Sequence, residues 1–333
     1  MAQPELEIRS TNPDGTSADV TTLCRAITWS GDYRNAARTF SFSPVVSADD
    51  KHLPKAPTEL GGSVRFSVDG TLLMDAYSLT RSRDSLGTSV DVVAYDRGVY
   101  LTRNSKTLAV NNQTPEAVTA SLASEFGIQT GEIVSTGVKL RRNFIGVSLY
   151  KIIMSLYSLA ADQTGRKYAI RFRGAAMEVV EVRQSAESII LQPGSNLLSL
   201  TAKEDASKII NSVALYDDSY TLTGKQQDDA SAALYGLMQQ AVKASEYDDP
   251  TAYAKRLLRE NGMQTTIAAN CIGNTKLVTG NTAVVKEPVT GTYGLFWIVS
   301  DSHTWRRNVY QTKVTLSLEA IMDSQTAGSV PSK

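Results

Sequence analysis

Residues 61–96 read GGSVRFSVDGTLLMDAYSLTRSRDSLGTSVDVVAYD, and residues 280–320 read GNTAVVKEPVTGTYGLFWIVSDSHTWRRNVYQTKVTLSLEA. Each stretch opens on Gly and a short alternating strand, turns at a second Gly (Gly70 or Gly291), and continues into a long strand and a polar hairpin loop. Alternation of period two predicts antiparallel strands with one buried and one solvated face. The two stretches therefore predict a duplicated β-unit, with two ordinary hairpins of similar pattern as the alternative.

The last strand of each stretch sets the expected correspondence between the copies. Both strands open on Thr and then alternate, with Thr88, Val90, Val92 and Ala94 in the first copy and Thr312, Val314, Leu316 and Leu318 in the second. We align Thr88 with Thr312, so that Val92 and Leu316 become equivalent core positions. The Met74–Ser78 segment is aligned with Phe296–Ser300 in the same way.

The composition excludes several classes of partner. The chain has 333 residues, enough for two or three domains with their own cores. Lys plus Arg and Asp plus Glu both number 34, so no broad basic field points to nucleic acid or to a membrane surface. The N-terminal MAQPELEIRS shows no signal pattern and no apolar run reaches membrane-spanning length. We expect a chain without a membrane segment that is made and folded in a cytoplasm.

The chain divides into β-rich and mixed regions. Residues 1–104 carry about six predicted strands, the size of a small antiparallel barrel or sandwich. Residues 105–190 predict a small α+β domain, and residues 191–323 a second β-domain with a helical insertion at about 228–262. Residues 324–333 are small and polar, and we expect them to be disordered. The predicted fold class is therefore α+β but β-rich, with two β-domains and an intervening mixed domain.

Helix signals mark the mixed domain. Thr114 and Pro115 are typical of an N-cap and a first helical residue. A second helix is predicted from about Ser148 to Ala161, because its apolar residues recur at helical spacing. Alternating residues between positions 167 and 182 then predict a hairpin, so the helices are expected to pack on a small sheet.

The second β-domain is predicted to contain a strand at Ile209–Asp217, which resembles Ala26–Asp32 in shape because both end on an apolar run and an acidic turn. In the insertion, spaced apolar residues from Ala230 to Ala241 predict one helix. A further helix is predicted to start at Asp249-Pro250.

No residue pattern predicts catalysis, a cofactor or a metal site. The two histidines, His52 and His303, are assigned to a polar loop and a hairpin loop, where surface hydrogen bonding is the expected role. Cys24 and Cys271 each lie on a predicted strand face and are expected to be free and buried, with a disulfide between them as an open alternative. Three acidic pairs are expected to act as caps and turn formers: Asp217-Asp218, Asp228-Asp229 and Asp248-Asp249.

Two groups of basic residues are candidates for contact with an acidic partner, with solvated charge as the alternative. They are Lys139, Arg141 and Arg142, and Arg306-Arg307 in the last hairpin loop. Among the three tryptophans, Trp29 is placed on a strand and Trp305 at a loop edge. Trp297 points away from the core face and hints at a covered outer wall.

Five runs of the chain resemble the tail hub proteins of contractile phages and of phage-tail-like bacteriocins from Gram-positive bacteria. They are ITWSGDYRNAARTFSFS at 27–43, VVAYDRGVYLTRN at 92–104, TPEAVTASLASEFGI at 114–128, SLYKIIMSLYSLAADQTGRKYAIRFR at 148–173 and GLFWIVSDSHTWRRNVYQTKVTLSLE at 294–319. The resemblance covers nearly the whole chain, and its specificity comes from the order of the runs. One departure is the loop Arg306-Arg307-Asn308-Val309, where the family often has Asn-Gly.

The resemblance implies a baseplate hub between the tail tube and the central spike. Such hubs are homotrimers in which each chain carries two tube-like β-domains, so that three chains present a six-fold-like ring to the hexameric tube. The implied partners are the tail tube protein or a tube-initiating ring, the central spike protein and other inner baseplate proteins, with the tape measure protein as a further candidate. The family pattern includes no catalytic residues and no cofactor. The implied location is the baseplate of a phage tail or phage-tail-like particle assembled in the bacterial cytoplasm.

The predicted function is thus a structural, non-enzymatic hub that joins tube and spike. A cell-wall-degrading enzyme and a receptor- or carbohydrate-binding tail-tip protein are the alternatives, the latter using the polar loop at 44–57. In the hub, polar residues opposite the core faces are expected either at the lumen of the ring or at a neighbour: Ser89, Asp91, Lys313 and Thr315.

Overall fold

The computed structural model describes residues 4–46, 52, 54–85, 87–247, 249–307 and 309–330. The fold is α+β and β-rich, as the alternating sequence pattern predicted. The N-terminal part forms seven strands: β1 (Leu6–Thr11), β2 (Ser17–Asp19), β3 (Cys24–Asp32), β4 (Thr39–Pro44), β5 (Ser63–Val68), β6 (Thr71–Arg83) and β7 (Val90–Asp96).

The middle part contains three helices and five strands among the described residues. Its elements are α1 (Gly98–Arg103), β8 (Ser105–Gln113), α2 (Pro115–Glu125), β9 (Thr130–Ile133), β10 (Leu140–Ser148), α3 (Leu149–Thr164), β11 (Tyr168–Arg173) and β12 (Ala176–Glu181). The C-terminal part contains β13 (Ile189–Leu191), β14 (Leu197–Asp205), β15 (Ser212–Tyr216), β16 (Leu222–Gln227), α4 (Asp229–Tyr235), β17 (Gln239–Lys243), α5 (Pro250–Glu260), β18 (Gln264–Ile272), β19 (Thr282–Glu287), β20 (Thr292–Arg306) and β21 (Val309–Ser317).

One 13-stranded sheet runs through both β-rich parts. Its strand order is β14-β18-β21-β20-β3-β4-β7-β6-β5-β1-β2, with β19 also paired to β20 and β13 to β19. The long strand β20 joins the two parts, because β19 pairs with its first half and β3 with its second half. All pairs in this sheet are antiparallel except β13 with β19.

Each β-rich part has its own core on the inner face of the sheet. The first core contains an aromatic cluster in which the Phe40 and Phe66 rings stack at 4.6 Å. The second core is aliphatic except for Phe296 and Cys271. Val92 and Leu316 are both 1% exposed, which confirms them as core positions. Burial of each such side chain contributes about 1.5–3 kcal/mol.

The middle part packs α3 between α2 and two small sheets. Ser148 caps α3 by accepting a hydrogen bond from Lys151 N, and Gly165 ends it in the left-handed conformation at φ 70°. Thr114 caps α2 in the same way, with Pro115 at the first turn, as predicted. The β11–β12 hairpin is likewise confirmed.

The strand predicted within Ile209–Asp217 is present, but it does not occupy a place in the fold like that of Ala26–Asp32. The strand within it, β15, lies outside the large sheet and pairs instead with β16 and β17 in a separate three-stranded sheet. Ser212–Leu215 are buried, and Val213 and Leu215 form a small core with Val242 of β17 and Ala254 of α5. The insertion therefore extends from β15 to α5.

The helix predicted from Ala230 to Ala241 is also shorter than expected. It ends at Tyr235, and Gly236 leaves the helical conformation at φ 83° and ψ 170°. The following residues form β17, which runs parallel to β15. The apolar residues Leu234, Leu237 and Met238 are exposed.

The C-terminal segment is ordered where the structure describes it, although we expected disorder from residue 324. Ser329 pairs with Asn143 of β10 through two backbone hydrogen bonds of 2.8 and 2.9 Å. Backbone N–H groups of Gln325 and Ala327 donate to Ser158 and Ser155 on α3. The segment thus covers the outer surface of the mixed part. The predicted domain limits at 104, 190 and 323 stay predictions.

Candidate assembly seam between the two β-units

The two copied stretches carry the same irregularity. In the β6–β7 pair, the register shifts by one residue between Ser78 and Thr80. In the β20–β21 pair, it shifts in the same way between Ile298 and Ser300. A β-bulge is a specific feature of a strand pair, so its repetition supports the predicted duplication.

Backbone hydrogen bonds beside the bulge repeat as well. In the first copy, Gly61 N donates to Ser78 O at 2.8 Å and Ser78 N donates to Gly62 O at 2.9 Å. In the second copy, Gly280 N donates to Ile298 O and Ile298 N donates to Asn281 O, both at 2.9 Å. Ser78 is therefore equivalent to Ile298.

This equivalence corrects the alignment derived from the sequence. Ala94 lies opposite Ser78 and Leu316 lies opposite Ile298, so Ala94, and not Val92, is the counterpart of Leu316. The sequence alignment was two residues out of register. A shift of two residues keeps every side chain on its face, so the alternating pattern did not reveal it.

The strands β3 and β14 are a further equivalent pair. Each pairs antiparallel with the next strand of its unit and contains a register shift near its start. At the other end, Asp32 Oδ1 accepts from Arg34 N at 2.9 Å, and Asp205 Oδ1 accepts from Ser207 N at 3.0 Å. Following the cross-strand partners makes Asp32 equivalent to Asp205.

The seam between the two units is the pairing of β20 with β3. It runs antiparallel from Ser300 opposite Asp32 to Arg306 opposite Ala26. Trp305, on β20, belongs to the core of the first unit, and its ring lies 5.3 Å from that of Phe66. The two units are therefore joined at the seam both by backbone pairing of β20 with β3 and by the packing of Trp305 into the first core.

A buried ion pair crosses the seam. The guanidinium of Arg38 forms a bidentate pair with Asp301, in which Arg38 Nη1 donates to Asp301 Oδ1 at 3.0 Å. The Asp301 side chain is 0% exposed and also accepts from Thr279 N at 2.7 Å. Burial alone raises the pKa of Asp301, but Arg38 and the neighbouring His303 hold that pKa well below its usual range. The buried carboxylate is therefore charged, and its charge is stabilised by Arg38 and by the hydrogen bonds that it accepts.

His303 lies inside the seam and not in a hairpin loop. It is a β20 residue with 0% exposure, and its Nδ1 lies 2.9 Å from Tyr310 Oη and 3.1 Å from Thr312 Oγ1. Its Nε2 lies 3.2 Å from Asp301 Oδ2. The loop assignment was wrong because β20 extends to Arg306, past the polar SDSHT run. The surroundings indicate a structural histidine.

The carboxylate of Asp96 binds the backbone N–H of Arg38. Its Oδ1 accepts from Gly98 N at 2.8 Å and its Oδ2 from Arg38 N at 3.1 Å. Burial raises the pKa of Asp96 to about 6, and the two backbone hydrogen bonds only partly oppose this. A cavity of about 560 Å³ opens beside Arg38, where the seam faces the β11–β12 hairpin.

Most other residues noted in the sequence have structural roles. Arg142 is buried, and its Nε donates to Ala327 O and its Nη1 to Glu246 O, so it joins the C-terminal segment to the insertion. Trp29 and Trp305 are buried, whereas Trp297 is half-buried. Four basic side chains remain exposed: Lys139, Arg141, Arg306 and Arg307.

The cysteines, the acidic pairs and His52 complete this comparison. Cys24 and Cys271 are free, but only Cys271 is buried as expected, since Cys24 is half-buried; desolvation raises the pKa of both thiols to about 12. Asp228 and Asp249 cap α4 and α5, and Asp217 accepts backbone hydrogen bonds in a turn. Asp248 and Asn308 lie outside the described residues, as do positions 47–51 and 53 of the 44–57 loop. His52 is exposed in a turn.

Two further observations concern the described part of the chain only. Within it, no group of three or more His, Cys, Asp or Glu side chains is arranged to hold a metal ion. No helix in these ranges has the length and apolar character needed to cross a membrane.

The repeated unit and its seam can now be compared with known proteins. The model of the YQBQ-like family matches residues 27–317, which include most of both units and the whole mixed part between them. The chain belongs to the YQBQ-like family. A curated relative, the phage-like element PBSX protein XkdQ of Bacillus subtilis strain 168, is 21% identical over 272 residues, 78% of this chain and 81% of XkdQ.

Solved structures of phage tail proteins share the fold. The tail protein from Neisseria meningitidis MC58 superposes with a TM-score of 0.70 at 12% identity, covering 96% of this chain and 99% of that protein. The 43 kDa tail protein of prophage MuSo2 from Shewanella oneidensis gives a TM-score of 0.71 at 11% identity, with 93% and 98% covered. These findings confirm the resemblance to tail and baseplate hub proteins and support a tail-associated structural role.

Proposed function

We propose that this chain is the structural baseplate hub of a contractile injection particle, a trimeric adaptor that joins the hexameric tail tube to the three-fold central spike. The internal repeat carries this proposal: two β-units with the same bulge and register lie in one continuous sheet. Three chains with two such units each supply six similar units, which match a hexameric tube while the ring keeps three-fold symmetry.

The differences between the two units fit the spike side of such an adaptor. Only the second unit contains the β15–α5 insertion, and only the first is followed by the mixed part. Three copies of each therefore decorate the ring with three-fold symmetry. These parts are the proposed contacts for the spike, for other inner baseplate proteins and for the tape measure protein.

The solvated faces of β7 and β21 are candidates for the lumen of the ring. Asp91 and Lys313 occupy equivalent positions in the corrected register, and both side chains are exposed. With opposite charges at equivalent places, alternating units would balance each other around the channel. The lumen would then carry little net charge from these positions.

The relatives favour a non-enzymatic part over a cell-wall-degrading enzyme. XkdQ is described as a protein of a phage-like element, and the structural neighbours are described as tail proteins. The extended β-sheet with a buried seam is suited to carrying load between neighbours in a tail. The proposed location is therefore the baseplate of a phage tail or phage-tail-like particle.

A symmetry-resolved reconstruction of the assembled particle tests this function. We expect three copies of the chain in one ring, with six β-units stacked on the first hexameric tube ring and a three-fold spike on the other side. Quantitative mass spectrometry of purified particles gives an independent copy number relative to the spike. Six copies per ring, equal to the tube subunits, would contradict the proposal.

A further inference from the structure

The second half of β6 has a free edge where the equivalent half of β20 has a partner. β20 is flanked by β21 on one side and, from Ser300 to Arg306, by β3 on the other. β6 is flanked by β7 on the corresponding side, whereas β5 ends its pairing at Tyr77. No described strand pairs with the other edge of Leu79–Arg83, and Leu79 is 45% exposed.

The strand β14 shows the complementary difference. Its counterpart β3 pairs with β4 on one edge and with β20 on the other. β14 pairs with β18 alone and forms the end of the described sheet. Leu198 on this edge strand is 53% exposed. Among the described strands, one chain thus contains one completed seam, one β20-like edge without a partner strand, and one β3-like edge without a partner strand.

We propose that these two free edges pair with each other between chains, so that the β6 edge of one copy binds β14 of a second copy. The internal seam provides the register. Since Ser300 pairs with Asp32 and Asp301 with Gly31, the equivalent contacts are Thr80 with Asp205 and Arg81 with Glu204. This inference deepens the proposed hub function, on which it rests for the number of copies.

The charges agree with this register. Arg81 would lie directly opposite Glu204, and both side chains are exposed in the single chain. Opposite charges in directly paired cross-strand positions are favourable. In the internal seam the signs of the charges are reversed. The β20 residue equivalent to Arg81 is the anion Asp301, and the cation that binds it, Arg38, belongs to the first unit. A two-fold contact between two β6 edges would instead bring Arg81 and Arg83 of both copies together.

Pairing of these edges would also cover backbone N–H and C=O groups that natural sheets rarely leave exposed on long edge strands. Unpaired strand edges are templates for uncontrolled association. A head-to-tail contact between two different edges leads to a closed ring when the rotation per unit closes. Every seam around that ring would then have the geometry already present inside the chain.

Cysteine pairs in the full chain test the contact. Ser82 is expected opposite Lys203, the counterpart of Ser302 opposite Ser30 in the internal seam. Cross-strand partners have Cα atoms about 4.5–5.5 Å apart, within reach of a disulfide. The variant Ser82→Cys/Lys203→Cys is expected to form interchain disulfides under mild oxidation and to yield a covalent ring. A mixture of the Ser82→Cys and Lys203→Cys single variants is expected to yield a covalent dimer.

Two controls calibrate the experiment. Ser30→Cys/Ser302→Cys should cross-link within one chain, which shows that the chosen geometry permits a disulfide. The parent chain, with Cys24 and Cys271, gives the background level of cross-linking.

A charge reversal tests the register by sedimentation. Arg81→Glu is expected to weaken self-association about fivefold, and adding Glu204→Arg to this variant is expected to restore it. Arg65→Glu, exposed on the fully paired strand β5, should leave association unchanged.

The outcomes separate this interface from the hub function itself. A trimer that shows no Ser82–Lys203 cross-link, or that cross-links Ser82→Cys to itself, overturns the interface and leaves the hub proposal standing. A chain that stays monomeric at high concentration and also forms no cross-link overturns both. A cross-linked ring of another size supports the interface and contradicts the trimer.

Discussion

At the scale of single residues, the most consequential group is the pair Arg38 and Asp301. The Asp301 side chain has no exposure, and Arg38 stacks over the Trp29 ring at 4.0 Å while it binds the carboxylate. Removal of one member of a buried ion pair leaves a desolvated charge without compensation. The pair thus makes the stability of each unit depend on the presence of the other.

Replacement of Arg38 by Ala is therefore expected to lower the free energy of unfolding by about 3–5 kcal/mol, because Asp301 is left buried and charged. Denaturant unfolding of the full chain measures the change. Arg34→Ala is the matched control, since the Arg34–Asp32 pair is formed by a side chain that is 65% exposed. It should cost at most about 1 kcal/mol. Equal losses of unfolding free energy in the two variants would show that the buried Arg38–Asp301 pair contributes no more to stability than an exposed ion pair.

At the scale of elements, the two β-units show how much a pattern reveals. Alternation identified β7 and β21 as strands and assigned Val92 and Leu316 to the buried face, as the structure confirms. It did not reveal their relative register, because each residue two positions along has the same orientation. The bulges at Leu79 and Val299 decide the register, and they depend on pairing with a neighbouring strand.

Val92→Asp and Leu316→Asp are each expected to abolish soluble folding, since a buried unpaired carboxylate costs several kcal/mol. Soluble yield and circular dichroism after expression check this. Asp91→Lys and Lys313→Asp change charge on the opposite, exposed faces of the same strands, and both should remain soluble. Normal assembly of either core variant would show that its strand does not bury that face.

At the scale of the whole molecule, the two β-units are not independent bodies. The core of the first unit includes Trp305 from β20, and the sheet continues across the β3–β20 seam without interruption. Residues on both sides of the predicted domain limit at 104 thus contribute to the first core and to one sheet. Both units are expected to unfold together.

A fragment of residues 1–104 is therefore expected to lack cooperative unfolding, because it loses Trp305 and the strand that pairs with β3. Thermal denaturation of the fragment and of the full chain makes the comparison. In the full chain, Trp305→Ala is expected to cost about 3–5 kcal/mol. Trp297→Ala, at a half-buried position, should cost clearly less. A fragment that unfolds as sharply as the full chain would show that the units are autonomous.

The sequence by itself determined the features that depend on neighbouring residues. The caps Thr114 and Ser148, the turn at Gly70 and the alternating core faces all follow from local geometry, and the structure contains each of them. The order of family-like runs along the chain further determined the kind of protein.

Only the tertiary structure decided the features that depend on distant partners. His303 is buried because β3 and β21 lie on either side of it, and the C-terminal segment is ordered because β10 offers Ser329 an open edge. β15 leaves the main sheet because α5 and β17 give it a separate core. Strand pairing joins residues far apart in the chain, and local alternation carries no information on which strands meet or in what register.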